Sequence, residues 1–409
     1  MPFLTDFRQW VYFFIVFIFL IVLNISYQYS KYLDFKSEPL VKFNGDINNI
    51  YDKNKYKILK IKTDDFIFFT SCSNKLKTKQ NDKISGYLVT KNIDFIDYIK
   101  GFYGLTFSLD TKSQQNIINQ IKLYINKQHK DTNIQSLFNA LFLAIPINNQ
   151  LRQICSVYGI SHLVAISGFH LSILSGILFA LFYIPYSFIH KKYFPYRNKK
   201  FDILILVSIV LFGYLVFTDF VASLLRAFVM FAIGIYLARS NIKIVSYESL
   251  LIVCLIVLFI FPDLIFSLSF WFSVIGVFYI FLFLQYFKTL PKILQFLFFN
   301  IWIYLAMNPM VHYFFDTTST IQLLSPLITL LFMAFYPLEL LLHLVGYGGL
   351  FDDYLIKAMS LKFDIFSKST PDFIFYTYFL LSLFSTINKK LFIVLNIFIV
   401  CFTIWLYLI

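Results

Sequence analysis

The stretch Leu391–Ile409 reads LFIVLNIFIVCFTIWLYLI and contains no charged side chain. Similar apolar runs recur from Trp10 onward, and an α-helix needs ~20 consecutive apolar residues to cross a bilayer. Of the 409 residues, 59% are hydrophobic and only 14% are charged, whereas a soluble domain has ~25% charged residues. So much apolar surface cannot be hidden inside one water-soluble core. The sequence therefore excludes an ordinary soluble enzyme and predicts a polytopic α-helical membrane protein.

The apolar segments divide the chain into five predicted parts. These are an N-terminal membrane helix (1–30), a small extracytoplasmic β-rich, OB-like domain (31–110), a connecting helical segment (111–136), a transmembrane core with possible re-entrant or interfacial segments (137–345), and a C-terminal loop with membrane helices (346–409). Membrane segments are predicted at 137–147, 160–189, 201–217, 220–238, 245–261, 263–284, 293–308, 320–345, 372–387 and 390–409.

The β-rich domain is predicted from alternation in its sequence. Residues 56–62 read YKILKIK, with a period close to two, and the pair Asp64-Asp65 separates them from the apolar run 66–70. This pattern is typical of a β-hairpin. Residues 84–90 form another predicted strand, in which Gly86 suggests a bulge. A small β-barrel or sandwich of ~65 residues is the simplest interpretation.

The basic loops predict the orientation in the membrane. The segment 190–200 holds five Lys and Arg side chains, at Lys191, Lys192, Arg197, Lys199 and Lys200, and basic loops favour the cytoplasmic side. Counting backwards through segment 160–189 places residues 31–130 outside the cytoplasmic membrane. Counting forwards places Lys389-Lys390 outside as well, which conflicts with the cytoplasmic preference of basic loops. The conflict disappears if segment 320–345, which contains two prolines, is a re-entrant hairpin.

The most informative polar stretch is GISHLVAISGFHL, residues 159–171. Polar side chains at membrane depth are costly and usually face a bundle interior or a water path. Four interpretations stay open: interhelical packing of Gly and Ser with satisfied His side chains, an intramembrane serine hydrolase with Ser167 as nucleophile, a metal site, and a polar transport path. Neither His162 nor His170 has an acidic residue or cysteine nearby to complete a metal site.

Two later stretches carry further candidates. Arg226 lies in the middle of segment 220–238, where a charge costs ~2.5–3.5 kcal/mol on insertion scales. It either snorkels to the interface or faces a pore, where its fork geometry suits phosphate oxygens; Asp219 lies two turns away. In residues 262–276, Ser269, Ser273 and Gly276 form a small-residue stripe that indicates helix packing.

The outer domain is rich in lysine. Candidate DNA-binding side chains are Lys57, Lys60, Lys62, Lys75, Lys77 and Lys79, because aromatic residues beside a basic groove are what single-stranded nucleic acid binds. In an extended chain Lys75, Lys77 and Lys79 would form one ridge. The alternative is that these lysines form a basic face that contacts only solvent. The net charge of +13 is compatible with either interpretation.

The sequence gives no sign of bound cofactors. It has four cysteines but no Cys-x-x-Cys pattern and no Cys/His cluster, so no metal site is expected. It also lacks a G-x-x-x-x-G-K-[ST] nucleotide-binding loop.

Three stretches together resemble the ComEC family, the inner-membrane DNA-uptake channels of natural competence. They are GISHLVAISGFHLSIL (159–174), SLLRAFVM (223–230) and PDLIFSLSFWFSVIG (262–276), and the resemblance covers roughly 134–340. The family's motif residues fall on Gly159, His162, Ser167, Gly168, His170 and Arg226 with Ala227. Ser325-Pro326-Leu327 is similar to a later family block, in which the family tends to have Asn where this chain has Thr329.

This resemblance implies a multi-pass protein of the cytoplasmic (inner) membrane that passes single-stranded DNA during transformation and is not an enzyme. It also implies a periplasmic DNA-delivery protein and a cytoplasmic helicase-like ATPase as partners, beside the membrane lipids. Many members carry a metallo-β-lactamase-like domain with an HxHxDH motif, which this sequence lacks, so a separate nuclease is expected if the second strand is degraded. The alternatives are an intramembrane serine hydrolase built on Ser167 and a small-solute permease.

Overall fold

The structure is a computed structural model that describes residues 6–52, 56–73, 82–112, 117–218, 220, 222–239 and 246–408. The chain divides into two compact units. One, the β-rich unit, contains Pro2–Ile121 with Ile252–Leu268; the other, the helical unit, contains Lys122–Leu251 with Ser269–Ile409. Each unit is described by itself.

The β-rich unit is built on a six-stranded sheet. Its strands are β1 (Leu40–Asp52), β2 (Tyr56–Lys62), β3 (Ile67–Ser73), β4 (Lys83–Val89), β5 (Phe102–Tyr103) and β6 (Thr106–Lys112), in the order β5-β3-β2-β1-β4-β6. Strands β2 and β3 pair antiparallel across the turn at Asp64-Asp65, so the predicted hairpin is confirmed. The bulge predicted at Gly86 is confirmed too, because the β4–β6 register shifts between Ser85 and Tyr87.

The stretch from β5 to β6 joins the two edges of this sheet. Strand β5 pairs parallel with β3, whereas β6 pairs antiparallel with β4. Between them, the Gly104 N–H donates to the Phe69 carbonyl at 2.8 Å and the Val89 N–H donates to the Leu105 carbonyl at 3.0 Å. One short segment therefore ties the first edge to the last, which leaves less of each edge exposed.

Alternating side chains of the strands form the core of the β-rich unit. The fully buried ones include Ile47, Leu59, Ile61, Phe68, Ile84 and Leu88, and burying such a side chain stabilises a fold by ~1.5–3 kcal/mol. Helix α1 (Phe7–Ser37) and helix α2 (Phe95–Lys100) cover this core. The hydroxyl of Tyr32 on α1 donates to the Ile93 carbonyl at 2.9 Å, so the last turns of α1 belong to the β-rich unit.

The remaining chain is almost entirely helical. The helices are α3 (Ile117–Lys127), α4 (Thr132–Leu143), α5 (Asn149–Val157), α6 (Ser161–Val164), α7 (Gly168–Tyr193), α8 (Lys199–Phe217), α9 (Ala222–Arg239), α10 (Tyr247–Ile260), α11 (Leu268–Phe287), α12 (Lys292–Phe314), α13 (Ser325–Val345), α14 (Asp352–Ser360), α15 (Asp372–Phe384) and α16 (Lys389–Leu408). Two short strands, β7 (Thr317–Thr318) and β8 (Phe366–Ser367), pair antiparallel. Helices α3 and α10 and the start of α11 lie where the chain passes between the units.

Among the described residues, seven helices are long and apolar enough to cross a bilayer, namely α1, α7, α8, α11, α12, α13 (with the turn before it) and α16. Helices α10 and α15 are apolar but shorter. The protein is therefore a multi-pass membrane protein with an N-terminal β-rich sheet domain.

Two packed clusters hold the helical unit together. In the first, Ile203, Val207 and Leu211 of α8 lie between α7 and α9. In the second, Tyr279 of α11, Trp302 of α12 and side chains of α15 and α16 pack around each other. The start of α7 and the start of α11 each carry one of the polar stretches described above.

Two predicted segments fold differently from the expectation. Segment 160–189 is broken: short helix α6 ends at Val164, and α7 begins only at Gly168. Segment 320–345 is no re-entrant hairpin, because a 3₁₀ turn leads into one continuous helix, α13. Pro326 lies in the first helical turn, where a missing N–H costs nothing, and Pro337 is accommodated inside the helix.

Candidate functional site

The first polar stretch begins with a turn that docks on the start of α13. Gly159 has a φ of +67°, in the left-handed region that favours glycine. The hydroxyl of Ser325 donates to the Gly159 carbonyl at 2.9 Å, and Gln322 Nε2 donates to the Ser156 carbonyl at 3.0 Å. A Cβ atom at Gly159 would lie 3.2 Å from Cγ of Gln322. The turn therefore needs glycine both for its conformation and for its close approach to α13.

The second candidate, His162, lies on short helix α6 and is exposed. Its Nε2 is 3.4 Å from Oγ1 of Thr329 on α13. Because the Thr329 hydroxyl donates to the Ser325 carbonyl at 2.8 Å, it acts as acceptor for His162, and the contact is weak at this length. Thr329 of α13 thus contacts the first polar stretch through His162.

Ser167 and His170 form the N-terminal cap of α7. Ser167 is the residue before the helix, and its Oγ accepts from the Phe169 N–H at 3.3 Å. In return, Nδ1 of His170 accepts from the Ser167 N–H at 3.2 Å. This reciprocal arrangement is a capping box, with His in place of the usual Glu or Gln. The stretch therefore breaks at Ser167 because its side chains satisfy the free N–H groups of a new helix.

The imidazole of His170 is enclosed by aromatic rings. Its ring packs edge-on against Phe332, with centroids 5.4 Å apart, and against Tyr336, 5.0 Å apart. Both rings belong to α13, and His170 is only 2% exposed. In this conformation His170 joins α7 to α13 and does not face an open path.

Arg226 is also buried, at 6% exposure, so it does not snorkel to an interface. Its Nη2 donates to Oγ of Ser269 on α11 at 2.6 Å. Within the described part of the chain, Nε of Arg226 has no hydrogen-bond partner and no carboxylate forms an ion pair with this side chain; Asp219 lies outside the described residues. A guanidinium that is buried without a counter-charge costs several kcal/mol, so this side chain is suited to an anionic partner.

The three polar stretches meet in one place. A Cβ atom at Gly168 would lie 3.8 Å from Cβ of Ala227, which puts the start of α7 against α9. Arg226 then joins α9 to α11 through Ser269. Since α13 contacts Gly159 and His170 as described, four helices converge on the motif residues. In the sequence, only the Ser325-Pro326 pair indicated that α13 belongs to this site. The roles of Gln322, Phe332 and Tyr336 were not identified from the sequence.

Of the small-residue stripe on α11, Ser269 contacts another helix, whereas Gly276 does not pack closely against any described residue. Ser269 accepts the hydrogen bond from Arg226, a role that the sequence pattern did not indicate. A Cβ atom at Gly276 would meet no atom within 4 Å. Close helix packing at Gly276 was therefore a wrong prediction, because among the described residues no atom comes within 4 Å of that position.

The lysines of the β-rich unit fall on two faces of β2. Leu59 and Ile61 face the core, so Lys57 lies on their side by alternation, whereas Lys60 and Lys62 lie on the other. Lys60 Nζ is 5.7 Å from the centroid of the Phe69 ring. Burial lowers the pKa of Lys60, and the negative charge of Asp263 opposes this shift. Lys60 is therefore a partly buried cation with partners in its own unit. Lys75, Lys77 and Lys79 lie outside the described residues.

Among the described residues, no group of His, Cys, Asp and Glu side chains could hold a metal ion. The site consists instead of one buried guanidinium, two imidazoles, hydroxyl groups and closely packed glycine. Such groups bind anions through N–H donors.

Comparison with known proteins places the same region in a family. A family model described as "Competence protein" matches residues 146–409, which include all three polar stretches and extend beyond the region of resemblance noted in the sequence. Comparisons with curated proteins and with solved structures give no significant match. Because the family model covers more than half of the chain, the protein belongs to the Competence protein family and has a role in competence and DNA uptake.

Proposed function

We propose that this protein passes single-stranded DNA across the cytoplasmic membrane during natural transformation. The observation that carries the proposal is Arg226, a buried guanidinium that bonds to the Ser269 hydroxyl and whose Nε has no partner among the described residues. It lies where all three family stretches converge. Phosphate diester groups are the anions that a DNA channel must handle, and the planar fork of Arg matches their oxygens.

The sparse set of donors suits transport better than tight binding. Conduction requires binding sites whose affinity is high enough for the permeating strand to enter and low enough for it to leave. One guanidinium with His162 and His170 nearby supplies a few such donors, and the glycine positions 159 and 168 keep the lining narrow. A small-solute permease is the other alternative; a solute without negative charge would have no use for the Arg226 guanidinium, which forms no ion pair among the described residues.

The described conformation is then a closed one. Both Arg226 and His170 are buried, so a strand reaches them only after the helices around them move; for His170 the covering helix is α13. Among the polar contacts that hold the start of α13 in place are those of Ser325 with Gly159, Gln322 with Ser156, and Thr329 with His162, each worth ~0.5–1.5 kcal/mol net.

The β-rich unit is proposed to be an OB-like domain on the extracytoplasmic side that gathers the strand. The order of its strands, with the last segment lying parallel to β3 and antiparallel to β4, supports an OB-like barrel. OB-folds bind oligonucleotides on the face of their second and third strands. Lys60 and Phe69 are paired neighbours on those two strands; Lys57, Lys62, Lys75, Lys77 and Lys79 are further candidates for phosphate contacts.

Other proteins would complete this activity. We propose a periplasmic DNA-delivery protein, a cytoplasmic helicase-like ATPase that pulls the strand, and a separate nuclease where the second strand is degraded. The sequence has no nucleotide-binding loop of the G-x-x-x-x-G-K-[ST] kind, which is why the motor is assigned to a partner. The proposed channel needs no cofactor and no metal.

The Ser167–His170 contact is the observation that favours the alternative, an intramembrane serine hydrolase. Ser167 Oγ and His170 Nδ1 are 3.2 Å apart, within reach for a nucleophile and a base. However, Nδ1 already accepts from the Ser167 N–H, and both side chains are explained by capping α7. The structure supplies a reason for this pair that requires no catalysis, so we favour the channel.

The test uses a naturally transformable strain from which the gene is deleted. Doubly labelled DNA distinguishes binding at the cell surface from entry of one strand into the cytoplasm. The proposal predicts normal surface binding and no cytoplasmic entry in the deletion strain, with entry restored by the wild-type gene. Cytoplasmic entry that continues without the protein would refute the channel.

A further inference from the structure

Two buried histidines face each other in the helical unit, ~25 Å along α13 from the motif residues at its start. Nε2 of His129, in the turn between α3 and α4, is 2.8 Å from Nε2 of His343 on α13. On the other side of the first ring, Nδ1 of His129 is 2.9 Å from Oδ1 of Asp352 on α14. Nδ1 of His343 is 2.7 Å from the backbone carbonyl of Glu339. These contacts join three separate parts of the chain.

Counting protons shows that this chain of contacts holds one more proton than two neutral imidazoles supply. The Glu339 carbonyl is only an acceptor, so Nδ1 of His343 carries a proton. The contact between the two Nε2 atoms needs one proton, and the contact of His129 with Asp352 needs another. Three hydrogen bonds therefore require three protons. The third makes one ring an imidazolium or protonates Asp352, and the trio His129, His343 and Asp352 is then neutral overall.

The surroundings exclude solvent from the two rings and place carboxylates beside them. His129 and His343 are each 4% exposed, and Glu339 is fully buried. Oε2 of Glu339 is 3.2 Å from Nδ1 of His343, so a second carboxylate faces the pair. Burial lowers the pKa of His129 below its usual value, and the contact with Asp352 opposes this shift only in part, so it is the geometry of the contacts that requires the extra proton.

The other groups that face the cluster are uncharged at neutral pH. From α3, the hydroxyl of Tyr124 and Nε2 of Gln128 both donate to the His343 carbonyl, at 3.1 and 3.2 Å. From α4, the ring of Phe138 packs on both imidazoles. Before α14, Gly348 lies against the His343 ring, where a Cβ atom would come within 2.6 Å of Nε2. In the described chain no Lys or Arg side chain bonds to these groups, so Asp352 and Glu339 are the carboxyl groups that face the two imidazoles.

We propose that His129, His343 and Asp352, with Glu339 beside them, form a proton-binding site whose single proton holds α13 to the α3–α4 turn and to α14. A shared metal ion does not explain the geometry, because two nitrogens on one ion at ~2.0–2.1 Å from it lie farther apart than 2.8 Å. The inference goes beyond DNA passage and does not depend on it. Protonation of this site would change how firmly α13 is held in place. This matters for function because α13 also contacts Gly159 and His170.

The contact between α13 and its neighbours is expected to weaken at both high and low pH. When the proton leaves at high pH, the trio holds two protons for three contacts, and one contact becomes a repulsion between lone pairs. When a second proton enters at low pH, both rings carry a proton on Nε2 and repel each other, or Asp352 loses its charge. The contact between α13 and its neighbours is therefore strongest in an intermediate pH range and weaker on both sides.

Nitrogen NMR of the full chain in lipid nanodiscs tests this site directly. The sequence contains six histidines, so selective ¹⁵N-histidine labelling gives few signals, which single His→Gln variants assign. The proposal predicts a nitrogen–nitrogen coupling across the hydrogen bond between His129 and His343 in one pH range, with Nδ1 of His343 protonated. It also predicts that on each side of that range one contact of the trio is lost, seen as disappearance of this coupling or as a change in the His129 Nδ1 signal. Two imidazoles that titrate independently and show no coupling at any pH would overturn the proposal.

Variants give a second measurement. Asp352→Asn and His343→Gln should each remove the maximum from a plot of melting temperature against pH, whereas His190→Gln should keep it, since His190 bonds only to the Arg197 carbonyl near the end of α7. If the cluster variants melt with the wild-type pH profile, the proposal is wrong. If a variant does not fold, the NMR of the wild-type protein still decides.

Discussion

The hydroxyl of Ser325 donates a 2.9 Å hydrogen bond to the carbonyl of Gly159, a residue 166 positions earlier in the chain. This bond joins the turn that begins the first polar stretch to the helix that encloses His170. It explains why Gly159 belongs to the motif although it has no side chain. Glycine adopts the left-handed φ of this turn, and because it has no side chain, Gln322 and α13 can approach its backbone closely.

Gly159→Ala tests this explanation. The added Cβ forces an unfavourable φ, at ~1–2 kcal/mol, and presses on Gln322 at 3.2 Å. We expect a clear fall in the melting temperature of the purified protein. Gly176→Ala on α7 is the matched control, because an added Cβ there meets no atom within 4 Å and alanine favours a helix interior by ~0.5–1 kcal/mol. Equal effects of the two changes would contradict this account of the turn.

Ser167 should be replaceable by any residue that caps a helix. Ser167→Asn keeps an oxygen acceptor for the Phe169 N–H but has no hydroxyl nucleophile, so DNA uptake should remain close to the wild-type level. Ser167→Ala removes the cap and should cost ~0.5–2 kcal/mol of stability. The measurements are transformation frequency and melting temperature. Complete loss of activity in a well-folded Ser167→Asn protein would favour the hydrolase instead.

The predicted basic ridge of the outer domain makes a quantitative prediction. The triple change of Lys75, Lys77 and Lys79 to Gln should weaken binding of single-stranded DNA by the full-length protein in detergent. It should also reduce the slope of log K against log salt by about 2, at ~0.7 for each phosphate that is no longer neutralised. The matched control changes Lys191, Lys192 and Lys200 to Gln in the basic loop of the helical unit. An unchanged slope in the first variant, or the same reduction in both, would refute the ridge.

The sequence predicted what depends on local pattern. Apolar runs located the seven described helices that are long enough to cross a bilayer, although predicted segments 137–147, 245–261 and 372–387 contain only shorter helices. Alternation with a turn located the β2–β3 hairpin, and Gly86 located the bulge, because each follows from a few neighbouring residues. It did not predict the break at Ser167, where capping competes with an otherwise apolar run. It also could not place Ser269 beside Arg226 or His129 beside His343, since those contacts depend on how distant helices pack.

The surroundings of His170 and Arg226 differ from the expectation. As residues of a transport path, both side chains would contact a passing strand, yet both are buried here; for His170 the surroundings agree with the packing interpretation that the sequence also left open. For His170 the reason is α13, whose aromatic face covers the imidazole and whose two prolines had suggested a re-entrant hairpin. A description of function therefore has to include the movement of this helix.

Arg226→Glu is the most direct test of the central claim, which is that a buried guanidinium at the meeting point of three motifs handles phosphate groups. Its matched control is Arg239→Glu, because Arg239 is exposed at the end of the same helix, α9. With both proteins present in the membrane at wild-type amounts, the account predicts normal surface binding of labelled DNA in each. It also predicts at least a ~100-fold loss of cytoplasmic strand entry for Arg226→Glu alone, since an opposite charge in a narrow path costs ~3 kcal/mol or more. Wild-type entry through a folded Arg226→Glu protein would contradict it.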